Sequence, residues 1–406
     1  MDPESLLFSI FSPAGREDPY HALAELRRIE PVHHSKTLDT YCLTRFTDCQ
    51  SVLTDPRFLA PDLDWCEREL PDWREHPAAD FFYSSMLRSN GSVHGRLRRL
   101  VAGAFSARRV TALRARVEEI TTGLLDRFAD ATAAGGVADF PELVGYPLPV
   151  AVIGELIGVP PADQARFHRL GQDASRLLEP VRTAEDWHGA DRAVLALREY
   201  LTVLLRERRL RPADDLTSAL LAASDAEDLP LTEAELTDTL LLTFVAGFET
   251  TTAMLGLTVF ALLSHPEQLE LVRAQPQLAG AAVEESLRWD TPVQMTERVA
   301  AEPVEVGGTR IPQGANVTTV LAAANRDPRR HPDPDSFTVR RPDTRVLSFS
   351  AGPHYCLGAA LARIEGVALV GQLLSRFPRL ALARPPVRRA SISLRSLKEL
   401  ALLTNG

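Results

Sequence analysis

Four stretches of this 406-residue chain carry residue types that could do chemistry. The first is Phe349-Ser-Ala-Gly-Pro-His-Tyr-Cys-Leu-Gly358, in which a lone Cys356 sits in a Gly- and Pro-rich loop leading into an apolar stretch. Gly352 is free to take a positive φ and Pro353 stiffens the turn, so the segment reads as a fixed cradle. Gly358 has no side chain and would let a flat ligand approach the backbone. A helix starting there aims unpaired N–H groups at the sulfur and favours a thiolate. A buried structural cysteine ahead of an ordinary helix fits the same residues.

The second stretch is Ala246-Gly-Phe-Glu249-Thr250-Thr-Thr, inside a run that is otherwise apolar on all sides. A glycine, an acid and three β-branched residues are poor helix interior, and a carboxylate is costly to bury. Such local disagreement points to function, with a core helix whose Glu249 has a structural partner as the plain alternative. Ala246, Gly247 and Thr250 share one face, with Leu242 and Thr243 a turn earlier. The third stretch holds His94 and Arg98, four apart on one helix face and together suited to a carboxylate. Arg96, Arg99, Arg108, Arg109, Arg114 and Arg116 surround them, and such a run is commonly a solvated face. The fourth is Glu285 and Arg288, which alone form a routine i, i+3 pair worth about 0.3–0.5 kcal/mol.

These residues need scaffolding. Thr232-Glu-Ala-Glu235 is a capping box, and the helix it starts should run to Ser264, ahead of Pro266. At roughly 30 residues and roughly 45 Å it crosses the whole protein as a central helix. Val93 to Phe105 and Ala359 to Phe377 are further helices, the latter stopped by Pro378. Residues 112 to 220 are dominantly helical. Val32-His-His and Thr40 to Thr44 read as a strand pair across a Thr-Leu-Asp turn, and Glu305 to Gly314 as strands with Gly turns. Leu382 and Ile392-Ser-Leu read as short strands. Residues 58 to 92 carry aromatics among charges and prolines, either an irregular pocket lining or a surface loop. With no repeat and no linker, 1–406 reads as a single domain.

Composition is that of a soluble globular protein, 45% hydrophobic and 24% charged. A net charge of −9 argues against nucleic-acid and anionic-membrane partners. Cys42, Cys49, Cys66 and Cys356 form no C-x-x-C pair, so neither zinc nor a disulfide framework is expected, and a reducing cytoplasm is the natural compartment. The N-terminus lacks signal-peptide character. The longest uncharged apolar run, Thr250 to Leu263, is better read as a buried helix than as a membrane span.

The whole cysteine loop resembles that of the cytochrome P-450 family. Phe349, Gly352, His354, Cys356, Gly358 and Ala362 fall on the family pattern, while Ser350 and Ala351 stand where glycines are commoner. The resemblance implies haem b with the Cys356 thiolate as proximal iron ligand. Ala246-Gly247-x-Glu249-Thr250 is similar to the family's A-G-x-[DE]-T over the distal face, implying that Thr250 and Glu249 deliver protons while the O–O bond breaks. His94, Arg98 and Arg298 then match residues that hold the haem propionates. Glu285 and Arg288 match the E-x-x-R brace of the cysteine loop, with Arg341 rather than Arg340 as its third member. Val293, Gln294 and Met295 would edge the substrate pocket with Leu242 and Thr243, and residues 165 to 190 would cover it. Val346 stands where many bacterial members carry a histidine.

The implied fold is mainly α with a small β region, the haem lying between a long central helix and the cysteine-loop helix. The implied protein is a soluble, monomeric, actinomycete-type haem-thiolate monooxygenase. It would insert one oxygen atom from dioxygen into a small or medium organic substrate, in the tailoring of polyketides or peptides. No flavin or iron–sulfur motif is present, so electrons from NAD(P)H would come through ferredoxin reductase and ferredoxin, which the arginines after His94 would dock. Peroxide-driven oxidation or oxidative coupling is the competing chemistry, which an intact Glu249–Thr250 pair argues against. A non-catalytic haem-binding recruitment protein is the competing class.

Overall fold

The computed structural model describes residues 1–105, 107–180 and 182–404, the side chains at 107 and 108 apart. The Arg108 side chain of the basic run and Val181 of the pocket-covering stretch therefore lie outside the described residues. Five helices place the site: α1 (Gly91–Ala104), α2 (Ala184–Leu210), α3 (Glu233–Ser264), α4 (Ala279–Trp289) and α5 (Ala359–Arg376).

The centre is α3. Its capping box is formed: the Thr232 hydroxyl accepts the Glu235 N–H at 3.2 Å and the Glu235 carboxylate accepts the Thr232 N–H at 2.8 Å. Its 32 residues end at Ser264, one residue short of the helix opened by Pro266. Most of its side chains are buried, from Leu240 and Phe244 to Leu255 and Leu262. Each such leucine or phenylalanine contributes about 1.5–3 kcal/mol by leaving water. This is also the helix long and apolar enough to cross a membrane, and it is enclosed by the rest of the protein. Helices α2, α4 and α5 pack on it. Gly366 marks where α5 meets the other two, because a Cβ there would stand 2.9 Å from Val283 of α4 and 3.3 Å from Met254 of α3.

The β region is a five-stranded sheet of β1 (Val32–Ser35), β2 (Thr40–Leu43), β3 (Phe58–Leu59), β4 (Thr296–Ala300) and β5 (Asn316–Thr319), in spatial order β1-β2-β5-β4-β3. All neighbours are antiparallel except β2 and β5, which run parallel with Thr40 opposite Asn316. The β1–β2 turn uses Asp39 at φ 47°. Strands 304–306 and 309–311 form a separate hairpin, whose two turn residues, Gly307 and Gly308, both have positive φ as a type I′ turn requires.

Two expectations are corrected. Residues 58 to 92 are neither loop nor lining alone: they form helices Leu63–Glu69 and Pro77–Ser84 with a 3₁₀ turn at Trp73–Glu75. Pro77 starts a helix there instead of breaking one. Trp73, Phe81, Phe82 and Tyr83 are buried core residues. Ile392 to Leu394 is not a strand. The Glu179 carboxylate accepts the Ile392 N–H at 3.0 Å, which occupies the donor a ladder would use, and only an isolated bridge joins Leu394 to Val293.

Candidate active site

Between α3 and the loop before α5 lies a cavity of about 340 Å³. Phe349, Cys356, Gly358, Leu361 and Ala362 form one face, and Ala246, Gly247 and Thr250 the other. His94, Arg98, Arg298 and His354 edge it, and Leu242, Thr243, Val293 and Met295 wall it. Leu178, Glu179, Pro180 and Arg182 cover it from the 165–190 stretch. Gln294 does not line this cavity. Alternation along an extended segment turns it away from Val293 and Met295, and its Nε2 donates to the Thr291 carbonyl on the buried side.

The cysteine loop is held by its own backbone. The Cys356 N–H donates to the Phe349 carbonyl at 2.9 Å and the Ser350 N–H to Leu347 at 2.8 Å. Two residues sit in the left-handed region, Gly352 at φ 66° and Ser350 at φ 61°. Cys356 is the exposed member of the four cysteines, open to the cavity, whereas Cys42, Cys49 and Cys66 are buried. Surrounding protein still raises the Cys356 thiol above its ordinary value by desolvation. The N–H groups of Gly358 and Ala359 and the cations of Arg98 and Arg363 offset part of that rise. The helix-start N–H groups thus act in the direction the sequence reading gives, against the burial of the sulfur. A bound cation would favour the thiolate outright, since a coordinating thiol is deprotonated by its metal. No Cβ-sized obstruction lies over Gly358, leaving the backbone open to a flat ligand.

The edge is cationic. Arg298 is buried, its Nη1 donating to the Glu297 carbonyl at 2.7 Å, and desolvation with the nearby Arg88 charge brings it down to about 10. Arg98 donates to the Tyr355 carbonyl at 2.6 Å. Among the described residues no carboxylate forms an ion pair with either arginine. His94 is buried with Nε2 unpartnered, and its ring lies 4.2 Å from that of His354. Burial and the adjoining arginines push both imidazoles down, His354 to about 3. Two guanidinium groups without an ion-pair partner and an orphaned imidazole nitrogen at the rim of a mostly apolar cavity, with an open backbone at Gly358, fit a planar ligand with two acidic arms. Haem is such a ligand.

On the opposite face the threonines of α3 are accommodated by bonding back along the helix. The Thr250 hydroxyl donates to the Ala246 carbonyl and that of Thr251 to Gly247, both at 2.8 Å. Gly247 also serves packing, because a Cβ there would stand 3.1 Å from Ile153. Glu249 does not reach the cavity. One residue from Thr250 it points behind the helix, 2% exposed, where Oε1 accepts Arg389 Nη1 at 2.7 Å and Oε2 has no partner. Desolvation raises its carboxyl above the usual range, offset in part by Arg389.

Beneath the cysteine loop, Glu285 and Arg288 are a fully buried pair joined by two 2.8 Å bonds. Arg341 adds Nε bonds of 3.1 and 3.2 Å to the same carboxylate, whereas Arg340 reaches Gln275 instead. Asn325 connects this brace to the loop: its side chain accepts the Leu347 N–H and donates to the Ser348 hydroxyl, each at 2.8 Å. Arg363 stacks on Phe349 at 4.5 Å, and Val346 is partly buried.

The surface arginines are less free than the sequence suggests. Arg96 pairs with Glu235, Arg99 with Glu227, Arg109 with Asp214 and Arg116 with Glu155. Sequence reading missed Arg389, Arg88, Arg182 and Glu365. Glu365, a lone acid in the apolar α5, is buried and lines the cavity, and desolvation pushes its carboxyl well above the usual range. It carried the same signal that singled out Glu249. Arg389 carried none, being one of several arginines in a C-terminal tail.

The comparisons agree with this geometry. The profile described as Cytochrome P450 matches residues 67–383. The 6-deoxyerythronolide B hydroxylase of Saccharopolyspora erythraea is 38% identical over 399 residues, covering 96% of each chain. The cytochrome P450 monooxygenase PikC of Streptomyces venezuelae is 41% identical over 373 residues, covering 91% of this chain and 86% of that one. The structure of P450BioI, in complex with an acyl carrier protein ligated with hexadec-9Z-enoic acid, superposes with a TM-score of 0.89 at 31% identity, covering 96% and 99%. With a cavity-facing cysteine on the proximal loop and near full-length relatives of this kind, the chain belongs to the cytochrome P450 family, as a haem-thiolate monooxygenase.

Proposed function

We propose that this chain, acting as one domain over 1–406, hydroxylates or epoxidises a small or medium apolar substrate in secondary metabolism, with electrons from NAD(P)H delivered by ferredoxin. The observation that carries the reading is Cys356 and Thr250 on opposite faces of one cavity whose rim holds unpaired cations. The relatives named above include one whose printed name is a hydroxylase of 6-deoxyerythronolide B, which supports a tailoring hydroxylase, and we read the enzyme as a cytoplasmic monomer.

Haem supplies the binding and reductive activation of dioxygen. The chain's own residues do the rest. Cys356 would ligate the iron, with the N–H groups of Gly358 and Ala359 and the cations of Arg98 and Arg363 favouring the charge on its sulfur. Arg98, Arg298 and His94 Nε2 would hold the two propionates. Ala246, with no side chain beyond Cβ, would leave room for dioxygen on the face opposite Cys356. Thr250 Oγ1, donating to the Ala246 carbonyl in the resting geometry, can turn that proton into the cavity, and the Glu249–Arg389 pair lies behind it on the same helix. Leu242, Thr243, Val293 and Met295 position the substrate.

The test is a ferrous–CO spectrum of the haem-loaded protein, followed by turnover under ¹⁸O-labelled dioxygen. Cys356→His should lose the thiolate-type band while Cys42→Ser, Cys49→Ser and Cys66→Ser keep it. Product lacking the label, or equal yield from peroxide without ferredoxin, would overturn the reading.

A further inference from the structure

The cavity holds more cationic charge than the cofactor uses. Arg88 and Arg182, from two separate stretches of the chain, both line it. Both guanidinium groups lie against one ring, Phe82, at 4.6 and 5.8 Å from its centroid. Each has a buried Nε–H with no partner. Arg182 donates Nη2 to the Leu177 carbonyl at 2.5 Å, and among the described residues no carboxylate forms an ion pair with it. Glu179, three residues before Arg182 and also lining the cavity, is occupied: it accepts from the Ser391 and Ser393 hydroxyls and from the Ile392 N–H. Arg88 shares one 3.2 Å contact with Glu297, whose carboxylate is 39% exposed. The walls beside them, Met86, Leu178, Pro180 and Leu394, are apolar.

A cation kept in an apolar cavity without an anion is costly, and a ligand anion removes that cost. A guanidinium fork matches a carboxylate in shape as well as charge. Arg98 and Arg298 face the haem acids, which leaves Arg88 and Arg182 for the substrate. We propose that these two arginines form an anion subsite and that the substrate is an amphiphilic organic acid, its carboxylate held at Phe82. The proposal deepens the monooxygenase reading and rests on it for the cavity's role.

The experiment is a ferric spin-shift titration of the haem-loaded enzyme at about pH 7.5, where a carboxylic acid is ionised. Two shape-matched probe pairs are used: dodecanoic acid with methyl dodecanoate, and 4-phenylbenzoic acid with its methyl ester. In at least one pair the acid should bind about tenfold tighter than the ester, and Arg182→Gln and Arg88→Gln should each remove about that factor for the acid alone. Arg182→Lys should keep part of it. The absence of any acid preference, or an equal loss for acid and ester, overturns the subsite. If Arg88→Gln loses haem while acid affinity stays unchanged, Arg88 belongs to the cofactor edge and the paired subsite is likewise overturned. Arg182→Gln then stands as the second arm, and unchanged acid binding in it is equally fatal. The ferrous–CO band keeps the two readings apart: an intact thiolate band without acid preference sinks only the subsite, whereas a wild-type protein without that band sinks the monooxygenase reading.

Discussion

Glu249 Oε1 and Arg389 Nη1 lie 2.7 Å apart behind α3, tying the middle of the central helix to the C-terminal segment. Removing one partner leaves the other as an unpaired buried charge, so Arg389→Ala should cost about 3 kcal/mol in chemical denaturation of the haem-loaded protein. Glu249→Gln removes the charge at nearly constant shape and should recover most of that loss in the Arg389→Ala background. Turnover separates the roles: Glu249→Gln should slow it several-fold and change its solvent-deuterium isotope effect even where stability is retained. A double variant no more stable than Arg389→Ala would show that the pair is not coupled.

Ser350 stands at φ 61° with its hydroxyl buried and unpartnered. An L-residue there costs about 1–2 kcal/mol, against about 0.5–1 kcal/mol of backbone entropy lost by a glycine. Ser350→Gly should therefore stabilise the protein by up to about 1 kcal/mol, read as a higher denaturation midpoint. Gly352 is the opposite case. At φ 66°, a Cβ would collide with the Leu53 carbonyl oxygen, so Gly352→Ala should lower both the midpoint and the haem-to-protein ratio.

Arg288 places all five of its donors: two on Glu285, and others on the carbonyls of Pro334 at 2.7 Å, Ser336 at 2.8 Å and Asn325 at 3.3 Å. Lysine has three donors and no fork. Arg288→Lys should thus behave almost as badly as Arg288→Ala, with about 3–5 kcal/mol lost and weaker haem retention. Arg341→Lys, whose position is nearer solvent, should cost less. Equal stability of wild type and Arg288→Lys in urea would refute the account.

His331 is 1% exposed, with both ring nitrogens unpartnered and its ring edge-on to Phe46 at 5.8 Å. Desolvation, with Arg288, Arg330 and Arg341 on the same side and Asp343 opposing them, pushes it from 6.5 down to about 4. The unfolded chain binds this proton first, so acidification through that window favours unfolding. The neutral ring's contribution is whole above pH 6.5 and lost as pH falls to about 4, up to about 3 kcal/mol in all. His331→Phe should flatten the stability profile between those values, which denaturation at stepped pH will read.

Where a local rule set the outcome, the sequence was a sufficient guide. The capping box placed the start of α3, Pro266 and Pro378 its end and that of α5, and the i, i+4 spacing put His94 and Arg98 at one rim. The cysteine loop, Glu285, Arg288 and Arg341 came from family likeness, and their contacts lie where that likeness puts them. Legibility failed where long-range contacts decide. Which way Glu249 faces depends on Arg389, 140 residues away. Gln294 was assigned to the pocket with its neighbours although strand alternation excludes it.

The pairing of β2 with β5 has a consequence for how the protein is made. Thr40 and Thr318 share a 3.0 Å hydroxyl bond although 278 residues separate them, and β3 likewise waits for β4. At about 5–20 residues per second, the ribosome needs on the order of tens of seconds to supply those partners. Throughout that interval the first strands have open edges and a growing helical body beside them but no sheet to join. The order of synthesis thus leaves the free edges of β2 and β3 to be covered only after the helical part of the chain has been made.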